Sequence, residues 1–154
     1  MVSSFVLPIL DLPVVFQREA HDCGVACAVS VLRYFGLSPG FPATSAYLLP
    51  TPLDGVDPRT LEWFFRSYGL RVLVGEMDSE DLKQQTMKQG RPVVCAVKNH
   101  WVVAAGVKRN YVYYMDPDEG QGNVRKKCLP FQTWWEDHDR LGVAYRQFGL
   151  VIWK

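Results

Sequence analysis

The sequence lacks the long apolar run and the charge excess that mark two large classes of protein. No stretch approaches the roughly 18 apolar residues that a membrane-spanning helix needs. The formal net charge is +1 and no block of like charge reaches five residues, which argues against a nucleic-acid-binding surface. The apolar stretch at residues 1–17 has no basic leading region and is interrupted by Pro8, Asp11 and Pro13, so it does not resemble a secretion signal. We therefore expect a cytoplasmic protein without a membrane span, or one domain of a larger polypeptide.

Cysteine and histidine are also scarce, with four cysteines and three histidines in 154 residues. An alternative zinc site would have to use His21, Cys23, Cys27 and His138. Because the chain has no CxxC pair, that set would chelate poorly, and we expect no metal and no cofactor. The even cysteine count permits disulfides, but without a secretion signal we expect all four thiols to be reduced.

The first half of the chain carries helical patterns. Three helices are predicted, over residues 22–34, 57–69 and 78–90. The first begins at Asp22, a favourable N-cap residue, and ends before Gly36. A Pro-rich stretch, residues 38–57, separates the first two helices.

The second half carries strand patterns. Strands are predicted over residues 91–97 and 148–153, and a hairpin over residues 100–107 and 111–116. Helices followed by adjacent strands predict an α+β fold with an antiparallel sheet. The chain length fits a single domain that spans residues 1–154.

The predicted hairpin brings His100 and Asp116 together. If Lys108, Arg109 and Asn110 form the loop, Asp116 pairs with Val102, and His100 is its diagonal neighbour on the same face. Diagonal neighbours lie about 7–8 Å apart, within reach of an imidazole and a carboxylate. A slip of one residue would move Asp116 to the opposite face.

Cys23 completes a candidate catalytic set. It lies in the first turn of a predicted helix, where the helix dipole favours a thiolate, and His100 would serve as its base. Gln17 lies on the segment that leads into this helix, and its amide with the Cys23 backbone N–H would supply two donors to an oxyanion. Each residue alone has an ordinary structural explanation: a buried thiol, a core histidine, a turn aspartate and a loop glutamine.

Several segments together resemble one family. Residues 17–26, QREAHDCGVA, resemble the active-site segment of the bacteriocin-processing peptidases, which are papain-like enzymes that cleave double-glycine leader peptides. Later segments match in the same order, so the resemblance covers nearly the whole chain: YFG at 34–36, GRP at 90–92, HWVV at 100–103, DPDEG at 116–120, and Phe131 ahead of Trp134.

This resemblance implies a papain-like fold, with N-terminal helices packed on a C-terminal antiparallel sheet. It implies a cysteine endopeptidase that cleaves peptide precursors after a Gly-Gly motif through a thioester acyl-enzyme. Cys23 would be the nucleophile, His100 the base and Asp116 its orienting partner, with Gln17 in the oxyanion hole. In the family this domain usually precedes a membrane transporter with an ATPase. Here neither a membrane run nor a GxxxxGK[ST] loop is present, so we expect a stand-alone member, an excised domain or a partner of a transporter.

Two features depart from the family pattern. Trp101 follows His100 where the family usually has a smaller aromatic residue, and it would narrow a substrate-binding subsite. Strand alternation places it on the face opposite His100, so this role requires a bend or bulge at the strand start. Residues 135–147 add a charged segment that is either a border of the cleft or, as we favour, a surface loop.

Two other functions would use the same residues. A thiolate at Cys23 would equally support another acyl transfer, such as isopeptide hydrolysis. A module of this fold without catalysis would bind leader peptides and leave them uncut, although the presence of Cys23 argues against it.

Overall fold

The structure is a computed structural model that describes residues 8–138 and 141–154. In those residues the helices are α1 (Cys23–Tyr34), α2 (Phe41–Leu48), α3 (Pro58–Ser67), α4 (Ser79–Lys83) and α5 (Cys128–Trp134). A π-helical turn, Gln84–Lys88, continues directly from α4. The strands are β1 (Arg71–Glu76), β2 (Val93–Val97), β3 (His100–Lys108), β4 (Tyr111–Asp116), β5 (Gly122–Lys127), β6 (Glu136–His138), β7 (Ala144–Arg146) and β8 (Phe148–Trp153).

The predicted α+β class is confirmed. A six-stranded sheet has the order β1-β8-β2-β3-β4-β5, and every neighbouring pair is antiparallel. The three predicted helices are present as α1, α3 and α4 with its π-helical turn. Sequence patterns did not predict β1, β6, β7, α2 and α5, and they left the residues of β5 open between a solvated loop and a strand edge. Of these, β1 comes from the first half of the chain and forms one edge of the sheet beside β8.

Helix α1 runs through the interior and carries Cys23 at its first position. Every residue from Cys23 to Leu32 is buried, because the sequence there is almost entirely apolar. Asp22 precedes the helix as predicted, but its carboxylate accepts a hydrogen bond from the Glu19 backbone N–H at 3.1 Å and caps no helical N–H. At the other end Gly36 has a φ of 80°, the left-handed conformation that ends many helices.

The sheet separates two hydrophobic clusters. The first, here called the helix-side core, contains α1, the buried face of α3 and the sheet residues Val94, Ala96, Trp101, Val103 and Ala105. The second, here called the far core, contains the alternate sheet residues Val93, Cys95, Val97, Val102 and Ala104, together with Leu82, Phe131 and Trp135. Two-residue alternation along β2 and β3 therefore divides the apolar side chains between both faces.

The β3–β4 hairpin differs from the prediction at its turn. Lys108 pairs with Tyr111, so the loop has two residues, Arg109 and Asn110, with φ values of 53° and 67°. The predicted three-residue loop is wrong because this tighter turn, with both residues left-handed, is the form that matches strand twist. A bulge between Ala104 and Gly106 then shifts the register by one residue, and Val103 pairs with Met115. Continued from that pair, the register sets Asp116 opposite Val102, as predicted.

An extended N-terminal segment, residues 9–17, lies across these elements. Its Leu10 N–H donates to the carbonyl of Ala105 in the bulge at 3.0 Å. The Ser30 hydroxyl of α1 donates to the Pro13 carbonyl at 2.6 Å. The Gln17 N–H donates to the Pro117 carbonyl at 2.9 Å, directly after β4. The segment thus connects the helix that carries Cys23 with the strand that carries Asp116.

Candidate active site

Three elements bring Cys23, His100 and Asp116 together. Cys23 is the first residue of α1, His100 the first of β3 and Asp116 the last of β4. The Nε2 atom of His100 lies 2.7 Å from Oδ1 of Asp116. The same carboxylate oxygen accepts the Asp118 N–H at 3.0 Å, which fixes its position in the turn after β4. Both side chains are largely withdrawn from solvent, with 13% of His100 and 8% of Asp116 exposed.

The second nitrogen of the His100 ring faces Cys23. Burial of the ring lowers its pKa, but hydrogen bonds to Asp116 and Cys23, and the negative charge on both, outweigh burial and raise the pKa of His100 to about 10. Because Nε2 is engaged by Asp116, Nδ1 is the atom available to the thiol. An imidazole with these two partners stays protonated at neutral pH once the thiol has transferred its proton to the ring.

The other cysteines have different surroundings. All four thiols are free. Burial raises the pKa of Cys27 well above the ordinary value, and the negative charges of Cys23, Asp116 and Cys95 raise it further. Burial likewise raises the pKa of Cys95 and of Cys128. These three thiols therefore stay protonated at a pH at which a nucleophilic cysteine must be ionised.

Gln17 is not among the residues that line the cleft, and its side chain bonds within its own loop. Its Nε2 donates to the backbone carbonyls of Glu19 at 3.2 Å and Ala20 at 3.4 Å. Its Oε1 is buried and has no hydrogen-bond partner. The two carbonyls fix the orientation of the amide, because a flipped amide would set oxygen against oxygen. To serve an oxyanion, Nε2 would exchange one of these long hydrogen bonds for the substrate oxygen.

A cleft of about 600 Å³ opens over Cys23 and His100. One wall is the loop at residues 52–58, and it includes Val56. Trp101 also lines the cleft, and its indole Nε1 donates to the Val56 carbonyl at 3.2 Å. Gly24 lies beneath this contact, because a Cβ there would come within 2.8 Å of the Val56 side chain and 3.2 Å of Trp101. Cys23 is thus bordered by a closely packed apolar wall.

Trp101 reaches the cleft without the expected distortion. His100 pairs with Val97 and Trp101 with Ala96 in regular register, so the predicted bend or bulge at the strand start is absent. The cleft opens at the end of the strands, where side chains from both faces of the sheet meet. The side chains of Trp101 and His100 therefore lie on opposite faces of the strand, and both still line the cleft.

Another part of the cleft lining comes from residues 136–138 and 144–146. These two strands, β6 and β7, contribute Asp137, His138 and Tyr145 to the lining. The surface interpretation favoured from the sequence is correct in part, because both strands are largely exposed, but they form a hairpin that also borders the cleft. Neither Val56 nor Asp137 was a predicted site residue, because only tertiary packing brings their loops to Cys23.

Among the described residues, the group with ligand-like spacing for a metal is His100, Asp116 and Asp118. Two of these already form the short His100–Asp116 contact. The alternative set of His21, Cys23, Cys27 and His138 does not form such a group among the residues that the structure describes.

A helix-terminal thiol that faces a buried imidazole–carboxylate pair, on helices packed against an antiparallel sheet, defines the class of protein: a papain-like cysteine peptidase. The comparison with protein families gives the family. The model of the peptidase C39 family matches residues 11–138, and the chain belongs to this family.

Curated relatives match over part of their length. The lactococcin-G-processing and transport ATP-binding protein LagD of Lactococcus lactis subsp. lactis is 24% identical over 127 residues, which cover 79% of this chain and 17% of the relative. The sublancin-168-processing and transport ATP-binding protein SunT of Bacillus subtilis (strain 168) is 27% identical over 118 residues, which cover 72% and 16%. The chain spans less than a fifth of the length of these relatives. No helix in its described residues is long and apolar enough to cross a membrane.

Solved structures share the fold. A double glycine motif protease from an AMS/PCAT transporter, solved in complex with the leader peptide, superposes with a TM-score of 0.77 at 23% identity and 96% coverage of both chains. The peptidase domain of Streptococcus ComA, a bifunctional ABC transporter involved in quorum sensing, gives a TM-score of 0.73 at 18% identity, covering 90% of this chain and 95% of the other.

Proposed function

We propose that this chain is a cysteine endopeptidase that cleaves peptide precursors after a Gly-Gly motif through a thioester acyl-enzyme. The observation that carries the proposal is the His100 ring, held 2.7 Å from Asp116 and lining the same cleft as the Cys23 thiol at the start of α1. Membership of the C39 family supports it, as do relatives named for lactococcin-G and sublancin-168 processing.

The reaction begins with transfer of the Cys23 proton to Nδ1 of His100. The thiolate attacks the scissile carbonyl carbon, and a C–S bond forms while the carbonyl oxygen becomes an oxyanion. As the C–N bond breaks, His100 returns its proton to the leaving amine, which leaves a thioester on Cys23. His100 then takes a proton from water, the resulting hydroxide attacks the thioester, and the acid product departs as the thiol re-forms.

Asp116 orients the imidazole through this sequence. Its carboxylate fixes Nε2 and stabilises the imidazolium without itself accepting the proton. The oxyanion would be met by the Cys23 backbone N–H and by Nε2 of Gln17. One preorganised donor of this kind typically contributes about 10²-fold to kcat.

The Trp101 wall supports selection of glycine before the cut. Trp101 is only 7% exposed and its indole is fixed by the Val56 carbonyl, so the wall cannot retreat without loss of a buried hydrogen bond. A methyl group on the substrate would have to displace this wall. Discrimination against one methyl group by packing is about 1–3 kcal/mol, which is at least about tenfold in kcat/KM.

The test is a pair of peptides identical except for Gly-Gly or Ala-Ala before the scissile bond. We expect cleavage after Gly-Gly, a kcat/KM at least about tenfold lower for Ala-Ala, and no product from the Cys23→Ala variant with either peptide. Equal kcat/KM for both peptides would retain the peptidase and reject the double-glycine specificity.

The proposal extends to the cellular setting, where the relatives named as processing and transport proteins support a link to a transporter. We place the reaction in the cytoplasm, with the chain as one domain over residues 1–154 that acts as a part or a partner of a transporter. Isopeptide hydrolysis or another acyl transfer at Cys23 would use the same residues. The peptide pair separates them, because those reactions do not require a peptide bond after Gly-Gly.

A further inference from the structure

The β6–β7 hairpin is built as a fixed wall of the cleft. At its base Trp135 is fully buried, and its indole N–H donates to the Phe148 carbonyl at 2.9 Å. The Lys98 N–H donates to the Trp134 carbonyl at 3.0 Å, which joins the hairpin base to the turn before β3.

A further contact ties the hairpin directly to the catalytic strand. Oδ1 of Asp137 accepts the backbone N–H of Asn99 at 3.2 Å. Asn99 has a φ of 53° and immediately precedes His100. Asp137 and His100 line the same cleft, so the carboxylate is anchored to the residue that precedes His100 at the border of the space that a substrate would occupy.

The chemistry assigns a direction to the substrate. The leaving amine receives its proton from His100, so the residues after the scissile bond lie on the His100 side of Cys23. The hairpin meets the His100 end of the cleft through Asp137, which accepts the N–H of Asn99, the residue before His100. The Val56–Trp101 wall instead packs against Gly24, next to the nucleophile. The hairpin wall therefore meets the first residues after the cut.

We propose that Asp137 is a specificity-determining residue that favours lysine or arginine in the first two positions after the scissile bond. The inference rests on the proposed peptidase function. Asp54, Asp57 and Asp137 line the cleft, and among its described lining residues there is no lysine or arginine. Of the three, Asp137 lies on the His100 side, and a cationic side chain there would gain a favourable interaction with its carboxylate.

The experiment uses three peptides that share the Gly-Gly motif and differ only in the two residues after the cut, which are Lys-Lys, Ala-Ala or Glu-Glu. For the unmodified chain we expect kcat/KM to be about threefold to fivefold higher for Lys-Lys than for Ala-Ala, the scale of a partly exposed charge pair. The preference should weaken as salt rises from about 0.05 to 0.5 M, because screening acts on exposed charges.

Asp137→Asn is the decisive variant, since the amide oxygen can still accept the Asn99 N–H while the charge is gone. We expect it to equalise the Lys-Lys and Ala-Ala peptides. Glu136→Gln is the matched control, because it removes the same charge from the same strand at a residue outside the cleft lining, and it should keep the preference.

Two outcomes would reject the specificity role of Asp137 while leaving the proposed peptidase function intact. Equal rates on all three peptides in the unmodified chain would reject it and leave the peptidase intact. A uniform fall across the peptides in Asp137→Asn would mean that Asp137 acts by positioning His100 through the Asn99 turn. Absence of any Cys23-dependent cleavage would instead reject the proposed function, and this inference with it.

Discussion

The first and second turns of α1 each carry a cysteine, and their surroundings are opposite. Cys23 begins the helix, contacts His100 and opens to the cleft. Cys27 lies one turn further, is fully buried and has its pKa raised by burial and by the negative charges around it. The two cysteines are about 6 Å apart along the helix axis. At Cys23 the thiol faces the cleft, whereas at Cys27 it only fills space in the core.

The sharpest test of this comparison removes each thiol in turn. Cys23→Ala and His100→Ala should each lower kcat/KM by about 10⁴-fold or more, because nucleophile and base act as one unit. Cys27→Ala should keep kcat within about twofold and cost about 1 kcal/mol of unfolding free energy, the scale of a small buried deletion. Peptide cleavage assays and urea unfolding give the two quantities.

Thiol labelling checks the same contrast independently. Limiting iodoacetamide should modify Cys23 well before the other cysteines, as read by peptide mass spectrometry. Preferential labelling of Cys27, Cys95 or Cys128 would contradict the assignment of the nucleophile.

The next effect in size concerns Asp116, which stabilises the imidazolium that faces the first turn. Asp116→Asn should lower kcat/KM by about 10²- to 10⁴-fold while some turnover remains. The pKa of His100 is raised to about 10, and Asp116 is one of the causes, so the alkaline limb of the kcat/KM–pH profile should move to lower pH in the variant. The stability that this interaction contributes is present below a pH of about 6.5 and is lost as the pH rises through the raised pKa. A variant with the activity and profile of the unmodified chain would make Asp116 a turn residue only.

The smallest of these effects concerns Gln17, which approaches α1 from its preceding loop. Gln17→Ala should lower kcat by about 10²-fold if Nε2 reaches the oxyanion. Its present hydrogen bonds to Glu19 and Ala20 offer a structural alternative, in which the side chain only braces the loop. In that case the melting temperature would fall and kcat would not, so both quantities should be measured.

The sequence revealed the helices with strong apolar periodicity or clear end signals, namely α1, α3 and α4. It did not reveal α2, whose segment FPATSAYL lies in a Pro-rich stretch and buries only three side chains. Strand β5 was hidden for a different reason. Its residues Arg125, Lys126 and Lys127 fit either a solvated loop or a strand edge, and β5 is an edge strand, where charged residues are common because they discourage pairing with other chains.

The pairing of His100 with Asp116 was predicted through a register that is only partly correct. A two-residue turn without a bulge would set Asp116 opposite Val103, on the face away from His100. The extra residue at the Ala104–Gly106 bulge reverses that parity, so the site has the expected geometry although the turn does not. A residue count alone cannot distinguish a three-residue turn without a bulge from a two-residue turn with a bulge.

Cys23 and His100 are 77 residues apart, half of the chain, so their proximity could not be predicted from spacing. It was expected from the need of a helix-terminal thiolate for an imidazole partner and from the family resemblance. The walls of the cleft were harder still, since the placement of Val56 and Asp137 depends on how two loops pack against the ends of the strands.

Cys23 and His100 link the two hydrophobic cores described above. Cys23 belongs to the helix-side core, whereas His100 shares its face of β3 with the far-core residues Val102 and Ala104 and lies beside Trp134. Cys23 and His100 approach each other at the end of the sheet, so the distance between them depends on how the helix layer packs against the sheet. The proposed reaction would therefore be sensitive to how the helices pack against the sheet. A cavity-forming substitution at Leu32 in one layer or at Phe131 in the other would lower activity by changing the orientation of the two layers, although it would change no residue that touches substrate.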